Sequence, residues 1–175
     1  MERQSTSATP LIDIIFAFPG LLLALLIVTI LGPGLDNTIL AISIVYTPIF
    51  ARVARGQVIS VKEKDYVLAA RALGKRDWMI LVRHILPNIA SVMIVQVTLA
   101  LSWALITEAG LSFLGLGTQQ PEPSLGLMLS SNRALAEIAP WLILYPGGAI
   151  MLMVLGFNLL GDGLRDLLDP QGRGR

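Results

Sequence analysis

Residues 85–107 run for 23 positions without a formal charge, and residues 138–160 do so again. At about 1.5 Å per helical residue each run reaches roughly 35 Å, enough to cross a hydrocarbon core of about 30 Å. A water-soluble domain has no use for two such stretches in a chain of 175 residues, and here 54% of all residues are hydrophobic while only 14% are charged. The solvent for most of this chain is therefore lipid. Lipid offers the backbone no hydrogen-bond partners, so the expected fold is an all-α integral membrane protein.

Four transmembrane helices are expected within a membrane domain covering residues 11–163. The first is placed at 11–31, apolar except for Asp13, with a kink expected at Pro19-Gly20 and a tight turn at Gly32-Pro33-Gly34. The second is placed at 35–54, with Asp36 and Asn37 at its start, Pro48 inside it, and Arg52 near its end, where a long basic side chain can snorkel to the interface. The third is 85–107 and the fourth 138–160, the latter opened by Trp141 and interrupted by Pro146-Gly147-Gly148. Along the third, Ser91, Thr98, Ser102 and Ala109 share one face, and a small, hydroxylated stripe reads as close helix packing in preference to a solute path. Residues 110–137 form a long connection rich in Gly, Pro and Ser, with a short helix expected at 124–133 whose apolar LGLML segment suits a membrane surface. Residues 1–10 and 164–175 read as polar tails, and the apolar run after residue 10 lacks the small-residue cleavage site of a signal peptide.

Charge placement sets the expected orientation. Twelve of the thirteen Lys and Arg residues fall in residues 52–84 or in the two termini, and the long connection holds only Arg133. By the positive-inside rule, the loop 55–84 and both termini face the cytoplasm and the 110–137 connection faces outward. The net charge of +1 gives no general basic field, and no nucleic-acid partner is expected. Without cysteine there is no thiolate nucleophile and no cysteine metal site. Gly74-Lys75 lacks the upstream glycine and the following Ser or Thr of a phosphate-binding loop. His84, the lone histidine, has no partner at ligand spacing, so it reads as an interfacial or structural side chain rather than a metal ligand. No catalytic residue, cofactor or metal is expected. Asp13 and Asp36 read as interfacial, and Glu108 falls at the outer end of the third span, where it reads as a structural cap rather than a mid-membrane proton relay.

The polar stretch 65–88, DYVLAARALGKRDWMILVRHILPN, lies between long apolar segments. Tyr66, Ala69, Ala70 and Leu73 are spaced to share one helix face with two small residues at its centre. Gly74 is placed to stop that helix, Asp77 to cap a second one with Trp78, Leu81, Val82 and Ile85 on one face, and Pro87 to begin a third. A basic amphipathic loop of this kind can also simply lie on anionic lipid, but a two-alanine patch, a glycine stop and a proline restart suit a shaped protein groove better.

Ala69-Ala70, Gly74 and Leu86-Pro87 at this spacing resemble the EAA loop of ABC importer permeases. The flanking ARALG and RHILPN, with TEAGLSFLGLG at 107–117 and FNLLGDGLRDLLDP at 157–170, are similar to the dipeptide, oligopeptide and nickel branch of that family. The resemblance covers about residues 11–170. It implies a permease subunit without its own nucleotide site, carrying peptides or nickel complexes across a bacterial or archaeal inner membrane. Its implied partners are a second permease, two cytoplasmic ATPases, an extracytoplasmic solute-binding protein and the lipid bilayer. It assigns Asp65, Tyr66, Leu68, Ala69, Ala70, Arg71, Leu73, Gly74, Leu86 and Pro87 to ATPase coupling, and Glu108, Ser112 and Phe113 to an outer gate. Leu68 stands where the family usually carries glutamate. The family usually has six spans, of which four are expected here. A non-transporting remnant or membrane assembly factor is the alternative reading; a membrane enzyme is disfavoured because the spans offer almost no convergent ionisable groups.

Overall fold

The computed structural model describes residues 19–168, and among them every regular element is helical. In chain order these are α1 (Gly20–Leu31), α2 (Leu35–Lys62), α3 (Asp65–Ala72), the short α4 (Asp77–Ile80), a π-helical turn (Leu81–Ile85), α5 (Leu86–Phe113), α6 (Leu125–Ser131), a 3₁₀ turn (Arg133–Leu135) and α7 (Trp141–Leu168). Three segments are long and apolar enough to cross a membrane: Leu35–Lys62, Asp77–Phe113 and Trp141–Leu168. Little of their surface is covered by the chain itself, and only 6% of the apolar window of α7 is buried. Lipid or other membrane helices must cover such a surface.

The helices do not end where the apolar runs do. The second helix runs on from 54 to Lys62, the third begins at Asp77 and ends at Phe113, and the fourth is shifted to Trp141–Leu168. Charge marks where lipid ends, whereas a helix ends only where a turn or cap stops it, so each helix projects past its apolar run. Of the first span, residues 11–18 and Asp13 lie outside the described residues. The described part, α1, is 12 residues and about 18 Å long, too short to cross by itself. Pro19 does not kink a helix: with φ −56° and ψ 129° it is the extended residue from which α1 starts.

The chain forms two compact units. The first contains residues 19–48 together with Leu101–Gly156. Its core joins Ala24 and Val28 of α1, Ala41 and Val45 of α2, and Leu111 of α5. The turn after α1 is tied down by Asn37, whose amide donates to the carbonyls of Leu31 (3.1 Å) and Gly32 (3.0 Å). The second unit contains Ile49–Ala100 and residues 157–168. Its core joins Val61 of α2, Val67 and Ala70 of α3, Ile80, Ile85 and Ile89, with Val58 and Met93 packed around them.

The stripe on α5 is a packing stripe, and each unit uses its own part. In the second unit Thr98 is buried where Gly161 of α7 approaches so closely that an added Cβ would lie 3.3 Å from the threonine Cβ. In the first, Ser102 donates to the Val154 carbonyl at 3.4 Å, and Ala109 is buried beneath Gly126 of α6. A Cβ on Gly126 would meet the Ala109 carbonyl oxygen and lie 2.8 Å from its Cα. The helix expected at 124–133 is therefore real but shorter, Leu125–Ser131, with Ser124 as N-cap accepting from the Leu127 N–H at 3.0 Å. Gly126→Ala should lower stability by about 1–3 kcal/mol, because backbone cannot step aside as a side chain can. Gly148→Ala, with open space around it, should cost far less. Thermal unfolding of the two detergent-solubilised variants checks this.

Candidate functional site

The polar stretch folds as two helical pieces around one glycine. Lys64 is extended, Asp65 places a carboxylate in the first turn of α3, and α3 runs to Ala72. It closes in a Schellman motif: the Gly74 N–H donates to the Arg71 carbonyl (3.0 Å) and the Lys75 N–H to the Ala70 carbonyl (3.2 Å), with Gly74 at φ +73°. Arg76 is extended, so α4 starts at Asp77 without a side-chain cap. The expected capping role of Asp77 is not realised. Its carboxylate instead lies 3.8 Å from Arg71 Nη2, an exposed pair that adds little.

The expected α3 face divides. Val67 and Ala70 point into the core, while Tyr66, Leu68, Ala69, Arg71 and Leu73 are exposed, Leu73 by 80%. Ala70 is thus covered by its own chain, only 5% exposed, and belongs to the mounting of α3 rather than to its outer face. Val67 and Ala70, three residues apart, lie on one line, so the inward face runs through Val67 rather than through the alanine pair.

The expected second face fails for a different reason. Trp78, Leu81 and Val82 are exposed, whereas Ile80 and Ile85 are buried. In an α-helix residues five apart diverge by about 140°, following from 3.6 residues per turn. The π turn closes a five-residue step, with the Leu86 N–H donating to the Leu81 carbonyl, and brings Ile80 and Ile85 onto one line. Pro87 supplies the local cause. Its ring opposes the carbonyl four residues earlier in an α-helix, and widening the preceding turn relieves that clash. Leu86 and Pro87 therefore do not restart a helix after a gap; they are the first two residues of α5 in a continuous helical run, both exposed. His84 sits in this turn, its ring centroid 6.4 Å from that of Tyr66 and its Nε2 3.5 Å from Lys75 Nζ, while Asn88 Nδ2 donates to its carbonyl at 2.7 Å.

At the far end of α5, Glu108 Oε1 accepts from Ser112 Oγ (2.6 Å) and Thr118 Oγ1 (3.2 Å), and Ser112 Oγ accepts from the Thr118 N–H (3.0 Å). Ser112 and Thr118 are buried. Gly117 packs on the Ser112 backbone, where a Cβ would lie 2.7 Å from the amide nitrogen. Glu108 and Ser112 are inside α5, four residues apart, so the sequence spacing already places them together; Thr118, beyond the turn, was missed. Phe113, the last residue of α5, is exposed and takes no part in this network. The Gly34 N–H donates to the Leu116 carbonyl at 3.3 Å, joining this turn to the one after α1.

Gly74→Val tests the α3 stop. A β-branched residue at φ +73° is strained by roughly 1–3 kcal/mol, so the apparent melting temperature in detergent should fall, while Gly56→Ala, inside α2 with open space around it, should not lower it.

Comparison with known proteins places this architecture. Residues 2–173 match the family described as binding-protein-dependent transport system inner membrane component. The chain is 52% identical over 159 residues to the dipeptide transport system permease protein DppC of Alkalihalophilus pseudofirmus, covering 91% of this chain and 52% of that protein. It is 48% identical to the glutathione transport system permease protein GsiD of Pectobacterium atrosepticum, over 91% of this chain and 53% of the relative. For the GsiD of Escherichia coli the identity is 48% over 93% of this chain and 54% of the relative. The chain thus spans about half the length of these relatives. Long apolar helices, small-residue helix contacts and a family match over nearly the whole length agree: the chain belongs to the binding-protein-dependent transport system inner membrane components.

Proposed function

We propose that this chain forms part of the membrane path of an ATP-driven importer for small peptides or nickel complexes and transmits the ATPase stroke through residues 65–88. The relatives named for dipeptide and glutathione transport support a peptide-like solute. A second permease, two cytoplasmic ATPases and an extracytoplasmic solute-binding protein complete the proposed assembly, and the family's dependence on a binding protein supports the last of these. The observation that carries the coupling role is the two-sided construction of α3. Its inner line, Val67 and Ala70, is built into a core, while Tyr66, Leu68, Ala69, Arg71 and Leu73 stand uncovered. A short helix held rigidly from behind and apolar in front is suited to receive a push from a grooved partner. Leu68, about half exposed, lies on that outer side, where the family's usual glutamate would meet the partner. At the other end, Glu108 and Ser112 with the exposed Phe113 beside them are assigned to the outer gate, the carboxylate clasp setting the position of the turn.

Ala69→Trp should lower ATPase co-purification and transport by roughly 10- to 100-fold, the equivalent of about 1–3 kcal/mol of overpacking, without changing thermal stability, because Ala69 is exposed in the chain itself. Wild-type co-purification would remove α3 from the interface. Orientation is checked by single cysteines at Lys64 and Ser124, since the chain has no cysteine of its own. An impermeant thiol reagent on intact cells should label position 124 and spare position 64.

A further inference from the structure

Residues 75–83 carry a second surface, distinct from the outer side of α3. The helical run Asp77–Phe113 is 37 residues, about 55 Å, and a hydrocarbon core takes up only about 30 Å of it. No charge occurs between Arg83 and Glu108, so the core lies within that interval and α4 with the π turn stands just outside it. Seven residues, about 10 Å, separate Trp78 from Ile85, comparable with a headgroup layer roughly 5–8 Å thick. In that layer Trp78 is 62% exposed, and Met79, Leu81, Val82 and Arg83 are exposed beside it, with only Ile80 and Ile85 turned inward. Lys75 and Arg76 lead into the same turns and are exposed. Asp77 is the sole acidic residue between Tyr66 and Thr107, set against the four cations Arg71, Lys75, Arg76 and Arg83, so the stretch carries a net positive charge.

We infer that Lys75, Arg76, Trp78 and Arg83 form a contact surface for the anionic headgroups of the bilayer, anchoring the start of the α5 span next to the coupling helix. The inference rests on reading Asp77–Phe113 as a membrane span. Two observations select lipid over a protein groove: the patch is continuous with the span, and its composition is an interfacial tryptophan among apolar side chains flanked by cations. The same protonated side chains attract negative surface charge, and salt screens that attraction. Because Ile80 and Ile85 share the core of Val67 and Ala70, a headgroup held here fixes the height of α3 relative to the bilayer surface.

The test uses the full chain in phosphatidylcholine nanodiscs, with Trp103→Phe and Trp141→Phe leaving Trp78 as the only tryptophan, selectively excited at wavelengths where tyrosine does not absorb, and a second variant retaining only Trp103. Brominated phosphatidylglycerol should quench Trp78 more strongly than brominated phosphatidylcholine at the same mole fraction. Each of Lys75→Gln, Arg76→Gln and Arg83→Gln should reduce that preference roughly fivefold, and high salt should reduce it further. Equal quenching by both lipids, unchanged in the glutamine variants, overturns anionic recognition while leaving the span reading intact. Quenching of Trp103 without Trp78 overturns the surface and points to a protein partner at residues 75–83. Absence of quenching at both positions would sink the span reading and the proposal together.

Discussion

The constraint on which this structure depends is that lipid offers the backbone nothing to bond with, so each chain segment in it must satisfy its own amides and carbonyls. The polar side chains of the apolar segments obey the same rule. Thr29 donates to the Leu25 carbonyl, Ser43 to Ile39, Thr47 to Ser43 and Thr107 to Trp103, each one turn back along its own helix at 2.7–2.8 Å. These hydroxyls thereby satisfy their donors within their own helices. Among the described residues, no buried side-chain nitrogen or oxygen lacks a partner.

Helices that are already satisfied must still be held together, and in lipid the hydrophobic effect does not do it. Contact is made by removing side chains. Gly126 on the Ala109 backbone and Gly161 on Thr98 bring backbones within reach of dispersion forces that a larger residue would block. The exposed apolar surface elsewhere on these helices follows from the same logic, since it is left for lipid or for neighbouring membrane helices.

The polar stretch is built differently, around a small core of apolar side chains. Val61, Val67, Ala70, Ile80, Ile85 and Ile89 draw α3 and the base of the α5 run together. The π turn is the device that lets this core and the span share one continuous helix. It accommodates Pro87 and resets the helical phase, so that side chains on either side of it meet the same neighbours. α3 is therefore joined to the foot of the span by packed side chains rather than by a loose linker.

The all-helical membrane class, the apolar segments, the glycine stop at Gly74 and the packing stripe through Thr98, Ser102 and Ala109 were legible from residue order, because each depends on charge, length or spacing within one helix. Helix ends were not legible, because α2 continues through Arg52 and Gly56 to Lys62, where Val58 and Val61 find a core that polar residues nearby conceal. The inward face of α3 was misassigned because which of two neighbouring lines is buried depends on Ile80 and Ile85, and their alignment exists only once the π turn has formed. Thr118 joined Glu108 only through a turn whose path local spacing does not specify. Sequence alone determined the solvent, the helical class and the positions where backbones could approach. Tertiary structure decided which residues do so and which faces remain open, because burial is a property of pairs of elements and periodicity is a property of one.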